Sequence, residues 1–371
     1  TTLTIGKAVY DMSDVEYTGT TAIYNGQAHN VVATNLPGGV TASYKYELIT
    51  TDEQGNEILT IVTADQVINA GEYKVTVSFV GDANHELIGD GETTLTIGKA
   101  VYDMTGVTYE GTTATYNGQV HNVVATNLPG GVNVTNYKYE LKVEGEDGEV
   151  SYEEMPADQV INAGEYRVTV SFEGNTDNYE EIADAEVTLT IGKASYDMSD
   201  VKYEGTTAIY NGQAHNVTAT NLPGGVTPSY KYELKVEGED GEVSYEEVPA
   251  EEVINAGEYK VTVSFVGDAD HEEIADAQVT LTIAKAVYDM SNVEYTGTTA
   301  VYNGQVHNVV ATNLPGGVTV ANYKYELKVV GQDGEISYKE VLADQVINAG
   351  EYRVTVSFAG NTDNYELIGD G

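Results

Sequence analysis

The sequence has no cysteine and no tryptophan, only seven prolines and four phenylalanines, and few cations: 17 Lys and Arg stand against 59 Asp and Glu. Each shortage closes something off. Without cysteine there are neither disulfides nor thiolate metal sites, so packing and hydrogen bonds must stabilise each domain. With a formal charge of −42, the chain lacks the clustered Lys and Arg that phosphate backbones and anionic lipid surfaces need, which excludes nucleic acid and anionic membranes as partners. No apolar run approaches the ~20 residues that cross a bilayer. The opening residues carry no basic-then-apolar leader. The expectation is a soluble segment whose targeting signals lie elsewhere, with no membrane insertion. Disorder fails as an account, because 41% of residues are hydrophobic and they are patterned. The acidic excess reads as a solvated surface that keeps a long molecule dispersed.

Repetition stands out in what remains. Y-D-M occurs at Tyr10, Tyr102, Tyr196 and Tyr288, spaced 92, 94 and 92 residues apart. Y-N-G-Q recurs from Tyr24, Tyr116, Tyr210 and Tyr302, N-L-P-G-G from Asn35, Asn127, Asn221 and Asn313, and I-N-A-G-E-Y from Ile68, Ile161, Ile254 and Ile347. A period of about 93 residues is too long for a solenoid unit and suits a domain with its own core. Divided at these signals, residues 7–98, 99–192, 193–284 and 285–371 are repeats one to four, and residues 1–6 are the closing strand of a preceding repeat. The copies alternate. Repeats one and three carry V-G-D-A-N/D-H at Val80 and Val266, and repeats two and four carry G-N-T-D-N-Y at Gly174 and Gly360, so the duplicating unit reads as a pair. The chain opens on T-T-L-T-I-G-K-A, which closes a copy at Thr93 to Ala100, and stops at Gly371 just before that segment is due. A longer array is expected, with repeat four lacking its closing strand.

The hydrophobic period is two. Tyr73, Val75, Val77 and Phe79 alternate with Lys74, Thr76 and Ser78, which is the pattern of a half-buried antiparallel strand. Ser43 to Leu48, Thr94 to Ile97, His29 to Thr34 and Ile58 to Val62 are further strands. Asn25-Gly26 suits a two-residue type I′ hairpin, Pro37-Gly38-Gly39 a turn, and Asp52 to Glu57 a polar hairpin tip. No helical stripe is visible. About seven strands per copy, with turns every ~8–12 residues, predict four tandem immunoglobulin-like β-sandwiches. The alternative is a β-grasp repeat, which needs a helix. The core aromatics are mostly Tyr, which buries its ring and is expected to leave its hydroxyl at the rim. No flexible linker separates Ile97 from Ala100, so the copies are expected in an extended rod of roughly 140–180 Å.

The order Y-N-G (Tyr24–Gly26), A-G-E-Y-K-V (Ala70–Val75), G-D-A-N (Gly81–Asn84) and L-T-I-G-K-A (Leu95–Ala100) resembles the MBG-type (YDG-type) tandem repeats of bacterial cell-surface adhesins. His85 departs from the pattern where Tyr179 and Tyr365 follow it. The resemblance implies an extracellular, wall-attached stalk, and no particular ligand.

Candidate sites are few. His29, His121, His215 and His307 recur once per copy without metal-ligand spacing, and a hydrogen-bonding histidine is the expected role. No catalytic motif appears, so no enzyme is expected. Acidic loops at the domain pole hold Asp82, Asp90, Asp177, Asp184, Asp268, Asp276, Asp363 and Asp370, the residues that a Ca²⁺ ion between domains would use. The EF-hand pattern is absent, and a solvated loop is the competing account. Lys99, Lys193 and Lys285 lie on terminal strands, where an intramolecular Lys–Asn bond would need a buried carboxylate. Asn133 and Asn216 match the glycosylation sequon by chance. Leu3 and Ile5 are expected to pair into a fourth-type copy, in cis through a continuous chain or head to tail in a filament. Two functions remain open: a stalk that projects a binding tip, and a multivalent module for host glycans, mucin or a protein ligand.

Overall fold

The computed structural model describes all residues, Thr1–Gly371. It is all-β, with helix confined to single 3-10 turns such as Ala64–Gln66, so nothing supplies the helix of a β-grasp. The chain divides into two units, Thr1–Ala194 and Ser195–Gly371, each holding two repeats.

Repeat one contains β1 (Glu16–Thr18), β2 (Thr21–Ile23), β3 (Val32–Thr34), β4 (Thr41–Thr51), β5 (Glu57–Val62), β6 (Gly71–Val80) and β7 (Gly91–Gly98). Strands β1 and β3 form a two-stranded antiparallel sheet. The other five form a sheet ordered β2-β7-β6-β4-β5, antiparallel except for the parallel pair β2–β7. The period-two pattern sends Tyr73, Val75 and Val77 of β6 inward, where they are 1%, 0% and 0% exposed. They pack with Val31, Ala33, Tyr46, Val67, Leu95 and Ile97 in one core. The result is an immunoglobulin-like sandwich in which one layer has shrunk to two short strands.

Tyrosine hydroxyls explain how so thin a layer is held. Strand β3 begins at Val32 rather than at His29, because the preceding backbone bonds across the core instead of to a neighbouring strand. The Val31 N–H donates to Tyr46 Oη at 3.0 Å and the Ala33 N–H to Tyr44 Oη at 2.7 Å. The bridge recurs on Tyr139 and Tyr137, Tyr232 and Tyr230, and Tyr325 and Tyr323. The inner hydroxyls are therefore in the core and not at the rim, since Tyr46 is 2% exposed. Burial pushes the Tyr46 phenol above its ordinary value.

The Asn25-Gly26 turn also differs from expectation. Gly26 has φ 76°, whereas Asn25 keeps a negative φ, so the type I′ geometry is absent. The flanking strands belong to different sheets, and the segment is a crossover in which Asn25 Oδ1 accepts the Gln27 N–H at 2.9 Å. The Pro37 turn forms as expected: the Val40 N–H donates to the Pro37 carbonyl at 3.0 Å, with Gly39 at φ 87°, where a side chain would be strained.

Repeat two repeats this order in β8 (Thr108–Glu110), β9 (Thr113–Thr115), β10 (Val124–Thr126), β11 (Asn133–Glu144), β12 (Val150–Met155), β13 (Gly164–Glu173) and β14 (Ala185–Gly192). So does repeat three, in β15 (Lys202–Glu204), β16 (Thr207–Ile209), β17 (Thr218–Thr220), β18 (Thr227–Glu237), β19 (Val243–Val248), β20 (Gly257–Val266) and β21 (Ala277–Ala284). Repeat four keeps only β22 (Glu294–Thr296), β23 (Val310–Thr312), β24 (Thr319–Val330), β25 (Ile336–Val341) and β26 (Tyr352–Ala359). Two strands are lost together because the counterpart of β2 pairs only with the closing strand in the other repeats.

Candidate functional site

Two constellations recur, one within each repeat and one between partners of a pair. The first joins the beginning of a repeat to its end. Strand β2 lies parallel to β7, with Thr21, Ala22 and Ile23 opposite Thr96, Ile97 and Gly98. The Thr96 N–H donates to the Thr20 carbonyl at 2.9 Å and the Tyr24 N–H to the Gly98 carbonyl at 2.8 Å. Nearer the entry, Ala8 bridges His85, again in parallel, through Ala8 N–H to Asn84 O at 3.0 Å and Glu86 N–H to Ala8 O at 2.8 Å. Repeats two and three keep the strand pair as β9–β14 and β16–β21.

The second constellation joins repeat one to repeat two. Asn178, 7% exposed, accepts the Ala70 N–H on Oδ1 at 2.8 Å and donates from Nδ2 to Asn69 Oδ1 at 3.2 Å. The Tyr179 ring stacks on Tyr102 at 4.0 Å between centroids and meets Tyr24 of repeat one edge-on at 5.4 Å. In the second unit Asn364 bonds Ala256 and Asn255 at 2.7 and 3.0 Å, and Tyr365 meets Tyr288 and Tyr210 in the same way. The I-N-A-G-E-Y and N-T-D-N-Y motifs thus meet about a hundred residues apart in sequence. Repeats one and three place histidine there instead: His85 stacks on Tyr10 at 3.8 Å and His271 on Tyr196 at 3.9 Å. Each bonds a neighbouring carboxylate, His85 to Asp82 at 2.7 Å and His271 to Asp268 at 2.6 Å. The His85 bond, then the Asn84 N–H, hold Asp82 below the ordinary carboxylate range. Asp268 is lowered by its His271 bond first. The close seat of the ring explains Gly81, where a Cβ would strike Tyr10.

The calcium candidates do not converge. Asp82, Asp90, Asp177, Asp184, Asp268, Asp276, Asp363 and Asp370 are all exposed, and no group of three acidic or histidine side chains forms a ligand set. The carboxylates of Asp82 and Asp268 are turned inward to cap their own loops. Of the recurring histidines, His29, His121 and His307 bond Asn25, Asn117 and Asn303 through Nε2 at 3.0–3.1 Å. Lys99, Lys193 and Lys285 are exposed, without the burial that a Lys–Asn cross-link needs. Leu3 and Ile5 are each 85% exposed. Many of the scarce cations lie on the outer face of the large sheets, where Glu140, for instance, is held by Lys138 at 3.0 Å and Arg167 at 2.8 Å. Arg167, Lys260 and Arg353 also cover the rings of Tyr152, Tyr245 and Tyr338.

Among known families, the one described as "MBG domain" matches residues 13–101 and 199–287, which are repeats one and three. No curated protein matches the chain. Among solved structures, the FN1–FN3 domains of chicken CNTN1 share 11% identity over 73% of this chain and 97% of that one, with a TM-score of 0.18. The EC3–6 cis-dimer structure of protocadherin gammaB7 shares 11% identity over 96% and 98%, with a TM-score of 0.22. Likenesses this low carry no argument. The family match covers the odd-numbered repeats, which are MBG domains, and the even-numbered ones share their sequence motifs and tyrosine bridges, which is consistent with MBG-type tandem repeats.

Proposed function

We propose that this chain is a load-bearing stalk segment of a bacterial surface adhesin, placed outside the cell and projecting a binding tip. The observation that carries this reading is the parallel clamp between the second and the last strand of repeats one to three, β2–β7, β9–β14 and β16–β21. Tension pulls β2, near the start of the repeat, toward its N-terminus and the closing strand toward its C-terminus. Between parallel neighbours those forces oppose each other along the strands, so the cross-strand hydrogen bonds are loaded together. An antiparallel terminal hairpin would instead open one bond at a time. The asparagine and tyrosine contacts between paired repeats add a second connection besides the covalent chain, which suits a spacer.

A glycan- or protein-binding module fits less well. The exposed tyrosines of the outer face, Tyr152, Tyr245 and Tyr338, are covered by cations, and repeat one has Leu59 in that register. No single platform therefore repeats in all four copies. The test is a pair of variants under force. Thr96→Pro deletes the N–H donated to Thr20 and should sharply lower the unfolding force of repeat one. Tyr46→Phe weakens the same repeat away from the clamp and should change that force little. Equal losses would count against the clamp, and binding of the intact chain to a glycan array or to mucin would favour the module.

A further inference from the structure

The turn that follows β2 holds an asparagine side chain placed to react with its own backbone. Asn25 and Gly26 are exposed, and Asn25 Oδ1 accepts two hydrogen bonds. One comes from the Gln27 N–H at 2.9 Å and the other from His29 Nε2 at 3.0 Å. The Gln27 backbone amide can only donate, so the atom it meets is the side-chain carbonyl oxygen, and His29 must present Nε2–H to it. Two donors on one carbonyl oxygen polarise Cγ. They stand where negative charge would gather if a nucleophile attacked that carbon. Repeat two holds Asn117 Oδ1 in the same way, by the Gln119 N–H at 2.8 Å and His121 Nε2 at 3.1 Å. Repeat four does so for Asn303, through Gln305 at 2.9 Å and His307 at 3.0 Å.

The nucleophile is the next residue in the chain. The Gly26 N–H donates to no group of the chain. A Cβ placed on Gly26 would meet nothing within 4 Å, so nothing shields this amide from water. The same holds for Gly118 and Gly304. Both ends of the turn are tied down: the Tyr24 N–H donates to the Gly98 carbonyl at 2.8 Å and the His29 N–H to the Val67 carbonyl at 2.9 Å. A short span between two anchors therefore carries a free amide next to a polarised one.

We propose that Asn25, Asn117 and Asn303 are self-modifying sites that deamidate through a succinimide, with the histidine of each turn as a polarising donor. The Gly26 nitrogen gives its proton to water and bonds to Asn25 Cγ. The oxyanion forms on Oδ1, between the Gln27 N–H and His29 Nε2–H. The Cγ–Nδ2 bond then breaks, and Nδ2 takes a proton and leaves as ammonia. Water opens the succinimide at either carbonyl, giving aspartate or isoaspartate. One water is consumed and one ammonia released, without any redox partner. Aspartate keeps the main chain and leaves a carboxylate on the same two donors. Isoaspartate adds a methylene to the main chain between Tyr24 and His29, whose anchors fix the span, so it loosens the Tyr24 end of the clamp. The site rests on this local geometry and not on the chain bearing load.

The test follows each asparagine by peptide mapping and isoaspartate labelling while the intact chain ages at neutral to mildly alkaline pH. Asn25 and Asn117 should convert well ahead of Asn35, which is also exposed but precedes Leu36. The Asn-Gly dipeptide alone would give that order, so the deciding readout is the histidine. His29→Leu should slow conversion of Asn25 by about three- to tenfold, the worth of one hydrogen bond, and leave Asn117 unchanged. In a synthetic peptide of residues 20–33 the same substitution should have no effect, because the peptide does not hold the two donors in place. Amide exchange at Val75 reports whether repeat one stays folded. His121→Leu, read at Asn117 against Asn25, repeats the test in an independent copy. An unchanged rate in both folded variants, an equal slowing in the peptide, or no conversion of Asn25 and Asn117 overturns the proposal.

Discussion

Replacing Tyr46 with Phe tests whether tyrosine hydroxyls hold the two layers together. Tyr46 Oη accepts the Val31 N–H at 3.0 Å, and both residues are almost fully buried, at 2% and 1% exposed. Phenylalanine keeps the ring and its packing but leaves the Val31 amide without its acceptor, away from water. An orphaned buried donor costs about 1–3 kcal/mol. For a domain of this size that corresponds to a loss of roughly 4–8 °C in Tm per kcal/mol. Global melting of four similar repeats would blur the effect, so amide hydrogen exchange is the better assay. Protection within repeat one should fall by about 5–150-fold, at tenfold per ~1.4 kcal/mol. The equivalent amides of Val123, Val217 and Val309 should stay unchanged as internal references. A change below about twofold would refute the idea that these hydroxyls stabilise the thin layer, and would leave tyrosine at these positions unexplained.

Other expectations follow from the same contacts. A carboxylate whose folded pKa is depressed stabilises while ionised, so its contribution is present above the ordinary Asp range and is lost as pH falls through the folded value. Asp82 and Asp268 are both lowered; the loops they cap should loosen below about pH 4, while the repeat two and four loops, with Asn175 and Asn361 in that place, should not. NMR of the loop amides checks this, and equal acid response in all four loops contradicts it. Asn178→Ala should raise exchange at the Ala70 amide and loosen repeat one against repeat two, at a cost of about 1–3 kcal/mol to the junction; unchanged exchange would remove Asn178 from the account. Because the acidic loops form no ligand cluster, melting curves with calcium and with chelator should superpose, and a stabilising shift with calcium would contradict that.

Much of this architecture was legible in the sequence because it is local or repeated. The period-two pattern of Tyr73 to Phe79 places β6, and the recurrence of T-L-T-I places the closing strands β7, β14 and β21. What escaped is non-local. Nothing near Tyr24 says that the segment before it pairs in parallel with Thr96 to Gly98, and the Asn-Gly dipeptide there imitates a hairpin while making a crossover. The role of the Tyr44 and Tyr46 hydroxyls depends on backbone some eleven and fifteen residues upstream. Asn178 looks like a loop residue until its contact with Ala70 is known. The alternation of Asn178-Tyr179 with Asn84-His85 was visible as a pairwise period, but its meaning as a junction contact was not.

Force-ramp unfolding of the intact chain, held by its two ends, tests the central claim most directly. A load-bearing array with a parallel clamp in repeats one to three predicts three similar high-force events. Each should release about 300–330 Å of contour, at ~3.3–3.6 Å per residue. Events at uniformly low force from these repeats would contradict the stalk reading.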